Sequence, residues 1–459
     1  MKPYPAYKDS GLQWLGPIPE HWNTAQVRRN CRVFSGGTPD RSQPLFWENG
    51  SIPWLSSGEV NQRRIVKANQ FISPLGLANS SAKWLPARSV VIALAGQGKT
   101  KAMVATLEFE ATCNQSLAAV VPDAKKMSYS FLAYSLEVQY SRIRGLVGDD
   151  LRDGLNLEIV KSLVTCFPSP AEQSAIVAFL ARKCADIDRF LDRKRRLIAL
   201  LKEQKAAIIT QAVTQGLNPD APRKASGVEW LGNVPEHWEI LNLGKIVRFV
   251  KTGSTPSSLE EDYFSEGEID WFTPGDFKSS INLRNSERKL TSNAIKNREV
   301  RYFDANTVFL VGIGATLGKV GILGYSACCN QQITAIGFSD ANFPVYGVYF
   351  LRSAKEALTN LAQYTTMPIL NQSDTKKLRF LQPPLDEQKA IVEHIETESR
   401  KIDAAIGRIE REMELMHEYR TALISEAVTG KIDVRESAGR RAEADGPTES
   451  RVFASQHAA

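Results

Sequence analysis

Two stretches of the 459-residue chain carry a sustained seam of apolar positions. Reading alternately four and three residues apart gives Ile176, Leu180, Lys183, Ile187, Phe190, Lys194, Leu197, Leu201, Gln204 and Ile208, of which seven are apolar. The second stretch gives Ile391, Ile395, Glu398, Ile402, Ala405, Ile409, Glu412, Met416, Tyr419 and Leu423, of which eight are apolar. That spacing over about five heptads predicts a long helix with a coiled-coil seam in each stretch. Proline pairs, Pro168 and Pro170, then Pro383 and Pro384, stand where a strand should stop and the helix begin. The rest is strand-like and rich in turns. Ser89–Gly96 and Thr307–Gly312 are short apolar runs ended by glycine, and Leu117–Pro122 and Ile333–Gly337 are further strand candidates. Ser128–Gln139 and Tyr346–Leu361 have helical character, so the fold class predicted is α+β.

These elements occur twice. Gly11-Leu12-Gln13-Trp14-Leu15-Gly16 with Pro19-Glu20-His21-Trp22 returns as Gly227-Val228-Glu229-Trp230-Leu231-Gly232 with Pro235-Glu236-His237-Trp238. Gly36-Gly37-Thr38-Pro39 returns as Gly253-Ser254-Thr255-Pro256, and Cys113-Asn114-Gln115 as Cys329-Asn330-Gln331. Glu172-Gln173 returns as Glu387-Gln388, and Ala212-Val213-Thr214 as Ala427-Val428-Thr429, always 215 to 217 residues later. Two copies of one domain imply two similar surfaces related by a pseudo-twofold axis. Duplex DNA offers two such targets at a fixed separation. The scheme that follows is a globular domain over 1–167, a long helix over 168–214, a Pro/Gly/Asn-rich linker over 215–226, a second globular domain over 227–382, a second long helix over 383–435 and a disordered tail over 436–459.

Charge suggests how the helices meet. Residues 172–205 hold nine Lys and Arg against five Asp and Glu; residues 387–420 hold six against nine. A basic and an acidic helix of equal length favour each other over self-pairing. Within one chain built as two related copies, that pair is antiparallel. The seam residues expected between them are Ile176, Leu180, Ile187, Phe190, Leu197, Leu201 and Ile208, facing Ile391, Ile395, Ile402, Ile409, Met416 and Leu423. The plainer reading is two separate amphipathic helices, each covering its own domain.

Composition narrows the chemistry. An apolar fraction of 43% supports real cores, and net charge +6 suits a polyanion without requiring one. Six cysteines without a C-x-x-C pair and only five histidines argue against structural zinc and for reduced thiols. With no apolar leader and no run of about 18 apolar residues, the expectation is a soluble cytoplasmic protein with no membrane partner. Ala93–Thr100 matches a relaxed Walker A pattern, but Ala102–Leu107 after it looks like a strand and the second copy lacks the Lys-Thr step, so a glycine-rich hairpin is the better reading. His21 and His237 share one Pro-Glu-His-Trp setting, which reads as a packed start of each domain rather than a catalytic pair. No Ser/His/Asp set, paired carboxylates, metal cluster, S-adenosylmethionine loop, methyltransferase Asn-Pro-Pro-aromatic or helicase motif stands out, so the chain reads as non-catalytic and free of cofactors of its own.

Taken together, two repeats of a globular domain followed by a long helix resemble the specificity subunit of a type I restriction–modification system. Trp14-Leu15-Gly16 with Pro19-Glu20-His21-Trp22, Ser35–Pro39, Ile52-Pro53-Trp54, Glu172-Gln173 and Ala427–Ile432 carry the resemblance over residues 1 to about 435. It implies that each globular part is a target recognition domain reading one half of a split double-stranded DNA site. It further implies that the helices act as central and distal spacers, and that two methyltransferase subunits and motor–nuclease subunits join the chain. S-adenosylmethionine, ATP and Mg2+ would then sit on those partners, and the methylated base would be adenine. Residues suited to phosphate or base contact are Arg41, Arg63, Arg64, Lys67, Arg142, Arg144 and Arg152 in the first copy and Lys278, Arg284, Arg288, Lys289, Lys296 and Arg298 in the second, with Lys99, Lys101 and Lys319 in the glycine-rich hairpins. The loops differ between copies while the framework words match, which suggests an asymmetric target. Two rivals stand: a scaffold that assembles proteins without touching DNA, and an enzyme using the Walker-like loop.

Overall fold

A computed structural model of the chain describes residues 2–96, 98–146, 155–256, 263–264, 266–278, 280–364 and 367–435. The expected tail over 436–459 and the candidate Arg152 lie outside the described residues. The chain divides into two units that are not sequential. One is Met1–Arg193 with Arg411–Ala459, the other is Lys194–Glu410. Each unit therefore holds one globular part, the start of one long helix and the end of the other.

The first unit has a five-stranded sheet in the order Cys31–Ser35, Leu117–Pro122, Ser89–Ala93, Val104–Leu107, Arg64–Ile65. A four-stranded sheet runs Gln70–Ile72, Ile52–Leu55, Ala111–Cys113, Trp84–Leu85. The second unit repeats both topologies, with Val247–Thr252, Ile333–Phe338, Val308–Val311, Val320–Leu323, Asn282–Leu283 and then Lys289–Leu290, Ile269–Phe272, Ala327–Cys329, Tyr302–Phe303. The central strands are apolar on both faces, as Val90, Val91, Ile92 and Val308, Phe309, Leu310 are all fully buried. They read as continuous runs because core lies on both sides of the sheet. The helix expected over Tyr346–Leu361 is two helices, Pro344–Ser353 and Lys355–Leu361.

The long helices run Pro170–Gln215 and Leu385–Val428, about 69 and 66 Å at 1.5 Å per residue. The second stops at Val428, short of the 435 expected, because Gly430 takes φ +74° and turns the chain into a non-helical strap. The linker is also shorter than expected, since Arg223–Ala225 already pairs with Asn233–Pro235.

The two helices meet antiparallel within each unit. In the first, Ile176, Phe179, Leu180 and Cys184 share a core with Leu423, Ile424, Ala427 and Val428, and further along Asp188 meets Arg420 at 2.7 Å. In the second, Lys205 meets Asp403 at 2.8 Å, and the later Ala212 and Val213 pack with the earlier Ile391, Val392 and Ile395. The seam register differs from the expected one in the first helix. Cys184, Ile187 and Leu191 are buried, whereas Leu197 is 40% exposed and Phe190, Leu201 and Ile208 are half-buried. The inward row passes 184, 187, 191, 194, 198, 201, 205, 208 and 212. Two consecutive four-residue steps, 176 to 180 to 184, shift it by one residue, a stutter that brings 3.5 spacing back toward the helix's own 3.6. In the second helix Ile391, Ile395, Ile402, Ile409 and Leu423 are buried and Met416 is half-buried, as expected.

Each globular part grips the head of its helix through one buried amide. Gln173 donates from Nε2 to the carbonyls of Lys126 and Pro168, both at 2.9 Å, and accepts from Ser128 N at 2.8 Å. Gln388 donates to Ala341 and Pro383 at 3.2 and 2.8 Å and accepts from Phe343 N at 2.8 Å. A leucine there leaves three buried backbone groups without partners, at roughly 1–3 kcal/mol each before relaxation. Gln388→Leu is therefore expected to lower the thermal midpoint of the full chain by several degrees, while Lys389→Leu, one residue along and exposed, leaves it unchanged. Equal midpoints for the two variants in a calorimetric scan would remove the amide from this role.

Candidate nucleic-acid interface

The duplicated words lie together in space. Pro-Glu-His-Trp closes over the same helix head as the amide. His21 Nε2 lies 3.1 Å from Glu172 Oε2, and His237 Nε2 lies 2.8 Å from Glu387 Oε2. Tyr4 donates from Oη to Glu172 Oε1 at 2.8 Å in the first unit, where burial pushes its phenol well above the usual range. Trp22 and Trp238 are fully buried beside the end of the other long helix. A Cβ on Gly430 would stand 2.4 Å from Pro19 Cδ, and one on Gly216 would stand 3.2 Å from Trp238. The histidines are packing joints, as the sequence suggested.

Gly-x-Thr-Pro and Cys-Asn-Gln also meet. A Cβ on Gly36 would lie 1.9 Å from the Cys113 carbonyl oxygen, and one on Gly253 would lie 2.3 Å from that of Cys329, so only glycine permits the approach. Thr38 donates from Oγ1 to Gln115 Oε1 at 2.6 Å, and Thr255 donates to Gln331 in the same way. This junction sets the loop that follows. Trp54 donates its indole N–H to the Gly37 carbonyl at 3.0 Å, and Trp271 donates to that of Ser254 at 3.0 Å. Each tryptophan meets a second ring edge-on, Trp47 at 5.1 Å and Phe264 at 5.7 Å between centroids. The Arg41 guanidinium lies 5.0 and 5.5 Å from Trp47 and Trp54, and that of Arg288 lies 4.2 and 5.2 Å from Phe264 and Trp271.

The other basic candidates divide by their partners. Arg63 pairs with Glu137 at 3.3 Å, Arg64 with Glu108 at 3.0 Å, and Lys289 lies 4.0 Å from Asp270. Arg142 stacks 4.8 Å from Trp14 and donates to Gln139, and partial burial lowers its pKa. Arg144 donates to the Gly98 carbonyl at 2.8 Å and to Tyr140 at 3.0 Å. Lys67, Lys99, Lys278, Arg284, Lys296 and Arg298 are exposed. Two candidates leave the surface set. Lys101 is 9% exposed, and Lys319 turns inward to donate to the Phe277 carbonyl at 3.2 Å. Lys319 is held by the carbonyl that closes the Pro274–Asp276 turn, and Lys101 is buried where its hairpin returns to the sheet at Ala102.

The Walker-like loop is such a hairpin. Ala102 N donates to Ala93 O at 2.9 Å and Ala93 N to Met103 O at 3.0 Å, and the next element is the strand Val104–Leu107. No helix N-terminus follows to hold a phosphate, and Tyr140 takes the Lys99 carbonyl at 2.7 Å. The cysteines are free thiols, and burial pushes Cys31, Cys113, Cys166 and Cys328 up to about 12, far from a reactive thiolate. Among the described residues no group of His, Cys, Asp and Glu could hold a metal, and no helix is long and apolar enough to cross a membrane.

Asp270 fixes the Arg288 loop. Burial pushes its carboxyl up, but donation from Ser286 N and Oγ at 2.8 Å each, from Tyr325 at 2.7 Å and the nearby Lys289 outweigh burial and hold it below the usual aspartate range. Trp271 N in turn donates to the Arg288 carbonyl at 3.1 Å. Because the folded-state pKa is depressed, the stabilisation is present above the ordinary value of about 3.9 and is lost as pH falls through the lowered one. Asp270→Asn is expected to destabilise the chain at pH 7 and to flatten that acid limb. Thermal midpoints measured between pH 7 and 3 test this; parallel curves for the two proteins would contradict it.

Residues 19–195 and 235–412 match the type I restriction modification DNA specificity domain, once in each repeat. The chain is 25% identical over 289 residues to a putative type I restriction enzyme MjaX specificity subunit of Methanocaldococcus jannaschii, covering 62% of this chain and 63% of that one. It is 22% identical over 446 residues to the StySPI specificity subunit of Salmonella potsdam, covering 91% and 90%. The fold is similar to a solved chain from work on complex assembly and conformational transition of the type I restriction–modification system, with TM-score 0.64 at 15% identity, covering 90% of this chain and 99% of that one.

Sequence reasoning named Arg41 and Arg288 but missed the platform beneath them. The repeat offset of 217 that joins Trp54 to Trp271 and Trp47 to Phe264 was the available signal.

Proposed function

The chain belongs to the type I restriction–modification DNA specificity family, and from that premise we propose how it works. It is a recognition subunit with no catalysis of its own. Each globular part presents a reader loop to one half of a split, asymmetric duplex site, and the long helices set the gap between the halves. Two methyltransferase subunits and the motor–nuclease subunits assemble on it in the cytoplasm. They bring S-adenosylmethionine, ATP and Mg2+, and adenine is the base they methylate. The observation that carries this reading is the repeated junction of Gly-x-Thr-Pro with Cys-Asn-Gln, which in both units aims an arginine-bearing aromatic platform from the same framework position.

A split methylation motif is expected in the genome of cells that carry this chain with its methyltransferase, and its loss when the chain is deleted. Replacing residues 20–165 by those of another family member should change one half of that motif only. A change in both halves would rule out independent reading.

The spacer role has its own test. Seven residues inserted in phase into both long helices keep the seam and add about 10 Å. The unread gap between the half-sites is then expected to lengthen by about three base pairs at 3.4 Å each. An unaltered gap in the methylome of that variant would overturn the spacer assignment.

A further inference from the structure

The two readers use one device built from different parts of the chain. The aromatic pair comes from matching positions, Trp47 with Trp54 and Phe264 with Trp271. The arginine does not. Arg41 comes two residues after the end of Gly-Gly-Thr-Pro, whereas Arg288 comes from the segment leading into Lys289–Leu290, on the far side of the platform strand in sequence. The matching aromatic pair in each unit thus receives a guanidinium by a different route along the chain.

The stacking leaves the guanidinium edge open. Both arginines are exposed, and among the described residues neither side chain makes a hydrogen bond or ion pair to protein. This sets them apart from Arg142 and Arg144, whose guanidinium groups also lie over rings but whose N–H groups are committed to Gln139 and to Gly98. A guanidinium laid on a ring keeps its plane and loses rotamer freedom before any ligand arrives. Its two-pronged donor edge fits the O6 and N7 acceptors of guanine in the major groove, the commonest specific arginine contact. Lysine cannot reproduce that fork, although it keeps the charge.

We infer that Arg41 and Arg288 are specificity-determining residues that each read a guanine, one in each half-site. This rests on the DNA-recognition reading above. The wild-type methylome, with Arg41→Lys and Arg288→Lys beside it, supplies the test. The wild-type motif should contain a G·C pair in each half. Arg41→Lys should relax one such position in one half and leave the other half intact, and Arg288→Lys should do the converse. Discrimination at the relaxed position should fall by about 5- to 150-fold. Should both variants keep every letter of the motif while methylation drops evenly over all sites, the arginines contact phosphate and the inference fails.

A second measurement needs no variant. The wild-type chain in complex with its methyltransferase is titrated with duplexes carrying 7-deazaguanine in place of each motif guanine in turn, which removes N7 alone. One substitution per half should weaken binding sharply, and uniform affinity across all of them would overturn the assignment. If the wild-type chain gave no split motif at all, the recognition reading itself would fall; a split motif with unrelaxed variants would sink only the guanine contacts.

Discussion

The joint between each globular part and its long helix depends on an amide with no water to fall back on. Gln173 and Gln388 are fully buried, and each satisfies two carbonyls and one backbone N–H that would otherwise be stranded. A bidentate side chain in such a site fixes direction as well as distance, because its donors and acceptor are coplanar. The glutamate one residue earlier ties the same helix head to a histidine from the domain's first turn. Together they make the helix an extension of the globular part, not a flexible appendage. A reader loop can hold a fixed setting on DNA only if its support is this stiff.

From that joint the logic runs outward. The tryptophans of Pro-Glu-His-Trp fill the space where one helix begins and the other ends, and a glycine at each helix end admits the ring. The sheets carry apolar central strands, and the loops they support present the stacked arginines. Ion pairs between the helices, Asp188–Arg420 and Lys205–Asp403, have an exposed partner each and contribute little energy, about 0–1 kcal/mol. Their value lies in direction and register, while the buried isoleucines and leucines supply the attraction.

Much of this was legible from repetition alone. Words that recur at a constant offset turned out to be contacts: glycine against carbonyl, glutamine against backbone, histidine against glutamate. Periodicity found both long helices and the buried Ile391, Ile395, Ile402, Ile409 and Leu423 of the second seam, but not that Met413 and Arg420 turn inward in place of Glu412 and Tyr419. It misplaced the first seam between Phe190 and Gln204 because a fixed 3.5 spacing cannot see the stutter at Cys184, a small residue that looks unremarkable in sequence. Chain order alone does not show which helix end packs on which globular part, since that is a long-range fact. The basic candidates were the least legible part. A lysine in a hairpin can face solvent or its own sheet, and only the backbone course separates Lys99 from Lys101.

The strap after Val428 bears on how the chain is made. In the second unit the helix that ends at Gln215 runs by peptide bonds into the strand Arg223–Ala225. In the first unit the equivalent place is closed without a covalent link: Asp433 N donates to Lys2 O at 2.9 Å, and Lys431 Nζ donates to Pro17 O. Residues 194–410 are all synthesised before residues 411–435. The unit written second is thus complete first, and the unit whose globular part is made earliest waits, its core open where Leu423 and Ile424 belong, until residues 411–435 follow. A nascent chain cut short before Leu423 would present an unfilled apolar trough to chaperones and proteases.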